Sequence, residues 1–222
     1  MQVAIFMRGP FRPDLEGGLA RARALADEVR TNGGNPSLFF ATWSTQDRAF
    51  LRTLMEQPDV VHSLIIEPPP EEMIHEICGL EQLPSGRPVR NIFYQYYLSK
   101  IGLQIVDNMG RFDYVVHSRP DLNVRFGAYY QQWFEAGSYT TIHLKYPSGE
   151  SFINDQLSVA TPRDMLAVWD YGTLENLGAL IRNSEIPEDS LDQMAAKSDI
   201  NLRTAPLELW TLDSRRFEVT GG

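Results

Sequence analysis

Val3-Ala4-Ile5-Phe6-Met7 is an unbroken apolar run near the start of the chain. Such a run is expected of a strand buried on both faces of a parallel sheet. The segment Arg8 to Gly18 follows, carrying Gly9, Pro10, Pro13, Gly17 and Gly18, and reads as a loop. Leu19, Ala22, Ala26 and Val29 then recur at helical spacing, with Arg21, Arg23, Asp27 and Arg30 between them, until Gly33-Gly34 stops the helix. Ser37 to Thr42 reads as a second strand. Strand, helix and strand in about forty residues is a βαβ start, which implies an α/β fold around a mainly parallel sheet flanked by helices.

Further along, a helix is expected over Thr45 to Gln57 and a strand over Val60 to Ile66. Glu67-Pro68-Pro69-Pro70 and Pro84 to Pro88 break the pattern, leaving a loop with a short helix around Met73 that is the best candidate for a mobile insertion. Val89 to Met109 is the longest expected helix, closed by Gly110. Phe112 to His117 is a strongly apolar strand. A modest helix over Ala128 to Ala136 and strands over Tyr139 to Leu144 and Phe152 to Ala160 follow. Thr161-Pro162 starts a helix as cap and first-turn proline, and helix continues to about Ile181. Pro187 to Ala196 is helical, with Glu188 and Asp189 where the helix dipole favours acids, and Asn201 to Leu212 is extended. With 222 residues and no internal repeat, a single domain over 1–222 is expected.

Composition narrows the function classes. A net charge of −9 argues against a broad nucleic-acid surface, which needs a basic face to release counterions. It leaves room for one phosphorylated ligand held by a few arginines in a pocket. No apolar stretch is long enough to span a bilayer, and Val3 to Met7 is too short for a signal-peptide core. The lone cysteine, Cys78, fits a reducing compartment, so the expectation is a cytoplasmic protein without an integral membrane segment. His62, His75, His117 and His143 show no zinc-ligand spacing. Neither a dinucleotide fingerprint, a P-loop nor a Gly-x-Ser-x-Gly elbow occurs.

The chemistry concentrates where Phe112-Asp113-Tyr114-Val115-Val116-His117-Ser118-Arg119-Pro120-Asp121-Leu122-Asn123 leaves the sheet. Ligands of open α/β sheets bind outside the carboxyl ends of strands. Pro120 cannot donate to a ladder, so regular pairing ends there. Arg119 is suited to clamping a phosphate through two parallel hydrogen bonds. Asp121 is a hard oxygen ligand suited to Mg²⁺ or Mn²⁺. An alternative stands beside this one: Arg119 and Asp121 as a structural pair on a tight turn.

The run Tyr114 to Leu122 resembles the strand ending in Arg-x-Asp-Leu of a family of small glycosyltransferase-like proteins with the GT-A fold, a Rossmann-like single domain. In that fold an Asp-x-Asp motif at this place holds the metal and the nucleotide diphosphate. Here Arg119 stands at the first aspartate and Asp121 matches the second. The resemblance implies either that Arg119 itself neutralises the diphosphate or that Asp121 with Asn123 forms an ion site for Mn²⁺ or Mg²⁺. Asn91 to Lys100, with Gln95, Tyr96 and Tyr97, resembles the Gln-Tyr-Tyr…Lys helix that precedes this strand in such proteins. Phe152-Ile153-Asn154-Asp155-Gln156-Leu157 resembles their Asn-Asp-Gln segment. Pro187-Glu188…Leu191…Ile200 is similar to the family's last helix and strand.

The implied function is transfer of a sugar from a nucleotide-sugar donor to a carbohydrate or other hydroxyl acceptor. Asp155 would be the catalytic carboxylate, taking or positioning the acceptor hydroxyl's proton. Asn154 and Gln156 would bind acceptor or sugar hydroxyls. Arg8 and Gly9 follow the first strand, where GT-A folds meet the nucleotide, and with Lys100, Arg119 and Asp121 they form the expected donor site. Arg215 and Arg216 offer further charge. Ordinary structural roles stand against each: an Asn-Asp turn, a surface arginine beside a turn, a solvated lysine, a solvated tail pair. Two other functions stay open, a sugar nucleotidyltransferase and a nucleotide- or carbohydrate-binding protein without catalysis.

Overall fold

The computed structural model describes the backbone of residues 1–12, 14–145 and 151–212, and their side chains except at 143–145, 151, 152 and 212. Its first strand, β1 (Gln2–Arg8), carries the apolar run, and Val3 to Met7 are all buried. Successive side chains point to opposite faces, so the run serves two cores at once. Val3, Ile5 and Met7 pack with Leu19, Ala22, Leu25 and Val29 of helix α1 (Leu15–Thr31). Ala4 and Phe6 pack on the other side with Ile92, Phe93 and Leu103 of helix α4 (Val89–Asn108). Gly102 lets α4 approach closely, because a Cβ there would run into the Phe6 ring.

Helix α1 starts earlier than apolar spacing implies. The Asp14 side chain accepts the Gly17 amide at 2.7 Å and caps it, drawing Gly17 and Gly18 into the first turns. Strand β2 (Asn35–Trp43), helix α2 (Arg48–Met55), strand β3 (Val60–Ile66) and helix α3 (Glu71–Cys78) follow. Asp47 caps α2, which sets its start three residues beyond the expected one. The segment between α3 and α4 is a closed turn: Leu83 N–H donates to the Arg87 carbonyl at 2.9 Å and Gly86 N–H to that of Leu83 at 2.8 Å.

Strand β4 (Tyr114–Ser118) lies beside β1 in the middle of a seven-stranded sheet. The chain then leaves the sheet and forms β5 (Leu122–Arg125), a 3-10 turn (Gly127–Tyr129) and α5 (Tyr130–Trp133). The remaining elements are β6 (Ser138–Lys145), β7 (Ser151–Ala160), α6 (Pro162–Trp169), α7 (Leu174–Arg182), α8 (Pro187–Lys197), β8 (Asn201–Thr204) and β9 (Leu209–Leu212). The sheet order is β3-β2-β1-β4-β7-β6-β8, with β5 and β9 forming a separate antiparallel pair.

The sheet is mainly parallel, as expected, and β7 alone runs against its neighbours. Too few residues separate β6 from β7 for the crossover that a parallel pair requires. The extended segment 201–212 divides between the two sheets around Pro206. No helix among the described residues is long and apolar enough to cross a membrane.

Candidate functional site

β1, β2, β3 and β4 are mutually parallel, so their carboxyl ends open on one side of the sheet. A cleft of about 590 Å³ lies there. Arg8 and Gly9 reach it from β1, Trp43 from β2 and Arg119 from the end of β4. Gly9 has φ +100°, a conformation that favours glycine, and its N–H donates to the Ala41 carbonyl at 3.0 Å. The chain can therefore turn sharply off β1 without covering the cleft. Tyr94 and Gln95 of α4 form the opposite wall. The Trp43 and Tyr94 rings, 4.9 Å apart and tilted by 52°, present an aromatic surface.

The Asn-Asp-Gln segment reaches this site because β7 bulges. Thr141 of β6 pairs with Ser158 and His143 with Ile153, so Ile142 alone faces Asn154, Asp155, Gln156 and Leu157. Bulges bend a strand and re-aim its side chains. Asn154 holds this one: its Oδ1 accepts the Gln156 N–H at 2.6 Å and the Leu157 N–H at 3.2 Å. Thr141 Oγ1 donates to the Leu157 carbonyl at 2.7 Å. Asn154 is fully buried, so the structure gives it this supporting role in place of the expected contact with sugar hydroxyls. Gln156 lines the cleft, and its buried Oε1 has no partner among the described residues.

Asp155 stands just behind the lining, 4% exposed. Gln95 Nε2 donates to its Oδ2, which orients the carboxylate. Its Oδ1 has no partner among the described residues. Arg8 Nη2 donates to the Asp155 backbone carbonyl at 2.5 Å, and Arg8 Nε donates to His117 Nε2 at 3.1 Å. The guanidinium also sits 5.4 Å from the centre of the Trp169 ring. Burial pulls the Arg8 pKa down to about 10 while the neighbouring Asp155 resists, so the group stays cationic at neutral pH. Burial, and then Arg8, hold His117 well below the ordinary histidine value. His117 is thus a neutral acceptor at Nε2, and the hydrogen-bond network assigns its ring proton to Nδ1.

Arg119 and Asp121 form a bidentate pair, Nε to Oδ1 at 2.8 Å and Nη2 to Oδ2 at 2.6 Å. Burial works against the Arg119 charge, and Asp121 more than offsets it, holding the pKa above the ordinary arginine value. Asp121 itself is fully buried and supports the cleft from beneath Arg119. This geometry does not fit a resident Mn²⁺ or Mg²⁺ held by Asp121 and Asn123. Both Asp121 oxygens already accept from Arg119, and Asn123 lies on β5 with its Nδ2 donating to Thr211 Oγ1 at 3.3 Å. Among the described residues no cluster of three or more His, Cys, Asp or Glu side chains is placed to hold a metal.

Lys100 is not part of the cleft. Its Nζ donates to the Gly172 carbonyl at 2.5 Å, pairs with Asp170 at 2.6 Å and lies 4.3 Å from the centre of the Tyr171 ring. Those partners line a second groove, of about 480 Å³, among α6, α7 and α8. Arg215 and Arg216 lie outside the described residues. Several site residues carry little or no signal in the sequence. His117 carries one signal, a polar residue within the last two positions of an apolar strand. Glu188 reads as a helix-dipole residue, yet it is buried, and burial together with Asp155 pushes its carboxyl up to about 7. Trp169, Trp43 and Tyr94 carry no sequence signal that separates them from ordinary core aromatics.

No protein-family model and no curated protein sequence matches the chain. Solved structures do match. The catalytic domain of Drosophila β1,4-galactosyltransferase 7, in complex with xylobiose, aligns over 100% of this chain and 76% of its own at 9% identity, with a TM-score of 0.52. This is a GT-A-type glycosyltransferase fold. Two further structures align less closely. A point mutant of the Drosophila enzyme with manganese, UDP-Gal and xylobiose gives 10% identity over 91% of this chain and 64% of its own, TM-score 0.46. Mouse xyloside xylosyltransferase 1, in its apo form, gives 9% over 92% and 85%, TM-score 0.47. At such identity the likeness is one of fold.

Proposed function

We propose that the protein is a glycosyltransferase that moves a sugar from a nucleotide diphosphate donor to a hydroxyl acceptor in the cleft at the strand ends. Fold alone does not fix an activity, so the reading rests on the site. One observation carries it. Arg8 and Arg119 leave neighbouring strands to line a single cleft, and Asp155 stands directly behind it with one carboxylate oxygen oriented by Gln95 and the other unpartnered among the described residues.

In this reading the acceptor hydroxyl oxygen bonds to the anomeric carbon. The bond from that carbon to the diphosphate oxygen breaks, and the nucleoside diphosphate leaves with the electron pair. The hydroxyl proton passes to the Asp155 carboxylate. Positive charge from the arginines stabilises the charge that develops on the leaving group. The Trp43–Tyr94 surface offers a stacking face to a base or sugar ring. Gln156 orients hydroxyl groups. Drosophila β1,4-galactosyltransferase 7, the fold neighbour in complex with xylobiose, is a precedent for a carbohydrate acceptor.

The test is a panel of nucleotide sugars incubated with the protein and with mono- and disaccharide acceptors, followed by release of free nucleoside diphosphate. Release from at least one donor, faster when a hydroxyl acceptor is present, is expected. Release from none by the folded protein removes the reading.

A further inference from the structure

The cleft is cationic in a chain whose net charge is −9. Four arginines line it, Arg8, Arg12, Arg87 and Arg119, and among the described residues neither aspartate nor glutamate does. The four are not equivalent. Arg119 is matched by Asp121, and Arg8 is held beside Asp155. Arg12 and Arg87 are exposed, and among the described residues neither makes an ion pair or a side-chain hydrogen bond, although Arg87 acts through space to lower the Glu188 pKa. A buried Arg8 and a half-buried, compensated Arg119 therefore form the floor, and two exposed arginines without an ion pair among the described residues stand above them.

Both exposed arginines line the cleft, and they come from segments far apart in the chain. Arg12 lies in the loop between β1 and α1. Arg87 is presented by the hydrogen-bonded turn that leads into α4, and Pro88, which precedes the helix, and Asn91 of its first turn line the cleft beside it. The positive end of a twenty-residue helix thus adds to the Arg87 charge. The diphosphate of a nucleotide sugar, esterified at both ends, carries two negative charges, which the two exposed arginines can match. A GT-A site ordinarily takes that charge on a metal ion, and here Arg119 already occupies both oxygens of the aspartate that would hold it.

Building on the glycosyltransferase reading, we propose that Arg12 and Arg87 together clamp the donor diphosphate, and that the cleft holds a nucleoside diphosphate without a divalent cation. Arginine suits the task because its planar fork meets two phosphate oxygens at once. Arg8 and Arg119 then shape the floor beneath the phosphates.

Calorimetric titration of the full chain in EDTA tests the proposal, using inorganic pyrophosphate and, separately, the uridine, guanosine, adenosine and cytidine diphosphates. Pyrophosphate and at least one nucleoside diphosphate should bind in EDTA, and added Mn²⁺ should change the affinity by less than about two-fold. Arg12→Gln and Arg87→Gln should each weaken binding about 10-fold or more, the worth of a charge-assisted contact. Arg52→Gln, on the exposed surface of α2, is the charge control and should leave binding unchanged. Binding that requires Mn²⁺, or equal binding by the Arg12→Gln/Arg87→Gln double variant, overturns the clamp and leaves the glycosyltransferase reading standing. Clamp-dependent binding of pyrophosphate with no nucleoside diphosphate bound would keep the two arginines as a phosphate clamp but overturn the nucleoside diphosphate as its ligand and sink that reading. Both fall if no phosphate ligand binds in EDTA or in Mn²⁺.

Discussion

Arg8, at the end of the first strand, donates a 2.5 Å hydrogen bond to the backbone carbonyl of Asp155, 147 residues further along the chain. This contact ties the bulge of β7 to the centre of the sheet, while the other edge of the guanidinium is tied to His117. The arginine therefore fixes where the Asp155 carboxylate stands.

Replacing Arg8 with Ala leaves the buried Asp155 carbonyl without its arginine donor and His117 Nε2 with only the longer contact to Ser99 Oγ at 3.3 Å. Each such loss costs about 1–3 kcal/mol, so a drop of about 2 kcal/mol or more is expected in urea denaturation. Arg8→Lys should fall short too, because an ammonium cannot reproduce the two-edged geometry. Unchanged stability in both variants would show that the bulge holds itself.

Asp121→Asn keeps the shape of the side chain and removes the charge that compensates Arg119. Donor affinity should fall, because the released guanidinium loses its fixed orientation, and the fall should be the same in EDTA and in Mn²⁺. A loss seen only in Mn²⁺ would mark Asp121 as a metal ligand instead.

Glu188 gives a pH signature. Its carboxyl, pushed up from the ordinary 4.5 to about 7 by burial and then by Asp155, binds more protons in the folded chain than in the unfolded one across that interval. Its contribution to stability therefore declines as pH rises from about 4.5 to about 7 and is level above that. Glu188→Gln removes the decline. The Tm of this variant relative to the natural protein should rise between pH 5 and pH 7.5, measured by thermal melts across that range. A pH-independent difference would place the group in water rather than in the buried layer.

Gly102→Ala drives a methyl group into the Phe6 ring, which is buried beneath α4. Overpacking of this kind costs about 1–3 kcal/mol. Thermal melting should show the loss, and a neutral result would mean that α4 can lift from β1 without cost.

The parallel frame is legible because β1 carries the unbroken apolar run Val3 to Met7 and β4 the shorter one Tyr114 to Val116, as strands buried on both faces need. The start of α1 is not, since Asp14 acts through a capping bond that apolar spacing does not register. Arg119 and Asp121 were singled out together, but a sequence cannot say whether an adjacent arginine and aspartate face a ligand or each other. Here they do face each other, and Arg119 also lines the cleft. Asp155 was legible as a polar interruption of a strand. The bulge that aims it depends on pairing with Thr141 and His143, a relation between two strands that neither carries alone. Lys100 was misplaced for a similar reason: its partners, Asp170 and Gly172, come from a loop some seventy residues later.

The most direct measurement sets turnover against donor affinity in Asp155→Asn. The substitution retains an oxygen to accept from Gln95 and removes the proton-accepting charge. Turnover should fall by about 10²-fold or more. The dissociation constant for the donor's nucleoside diphosphate should stay near its natural value, because the diphosphate is held by the arginines. Near-normal turnover in the folded variant would contradict the assignment of Asp155 and, with it, the account of sugar transfer at this cleft.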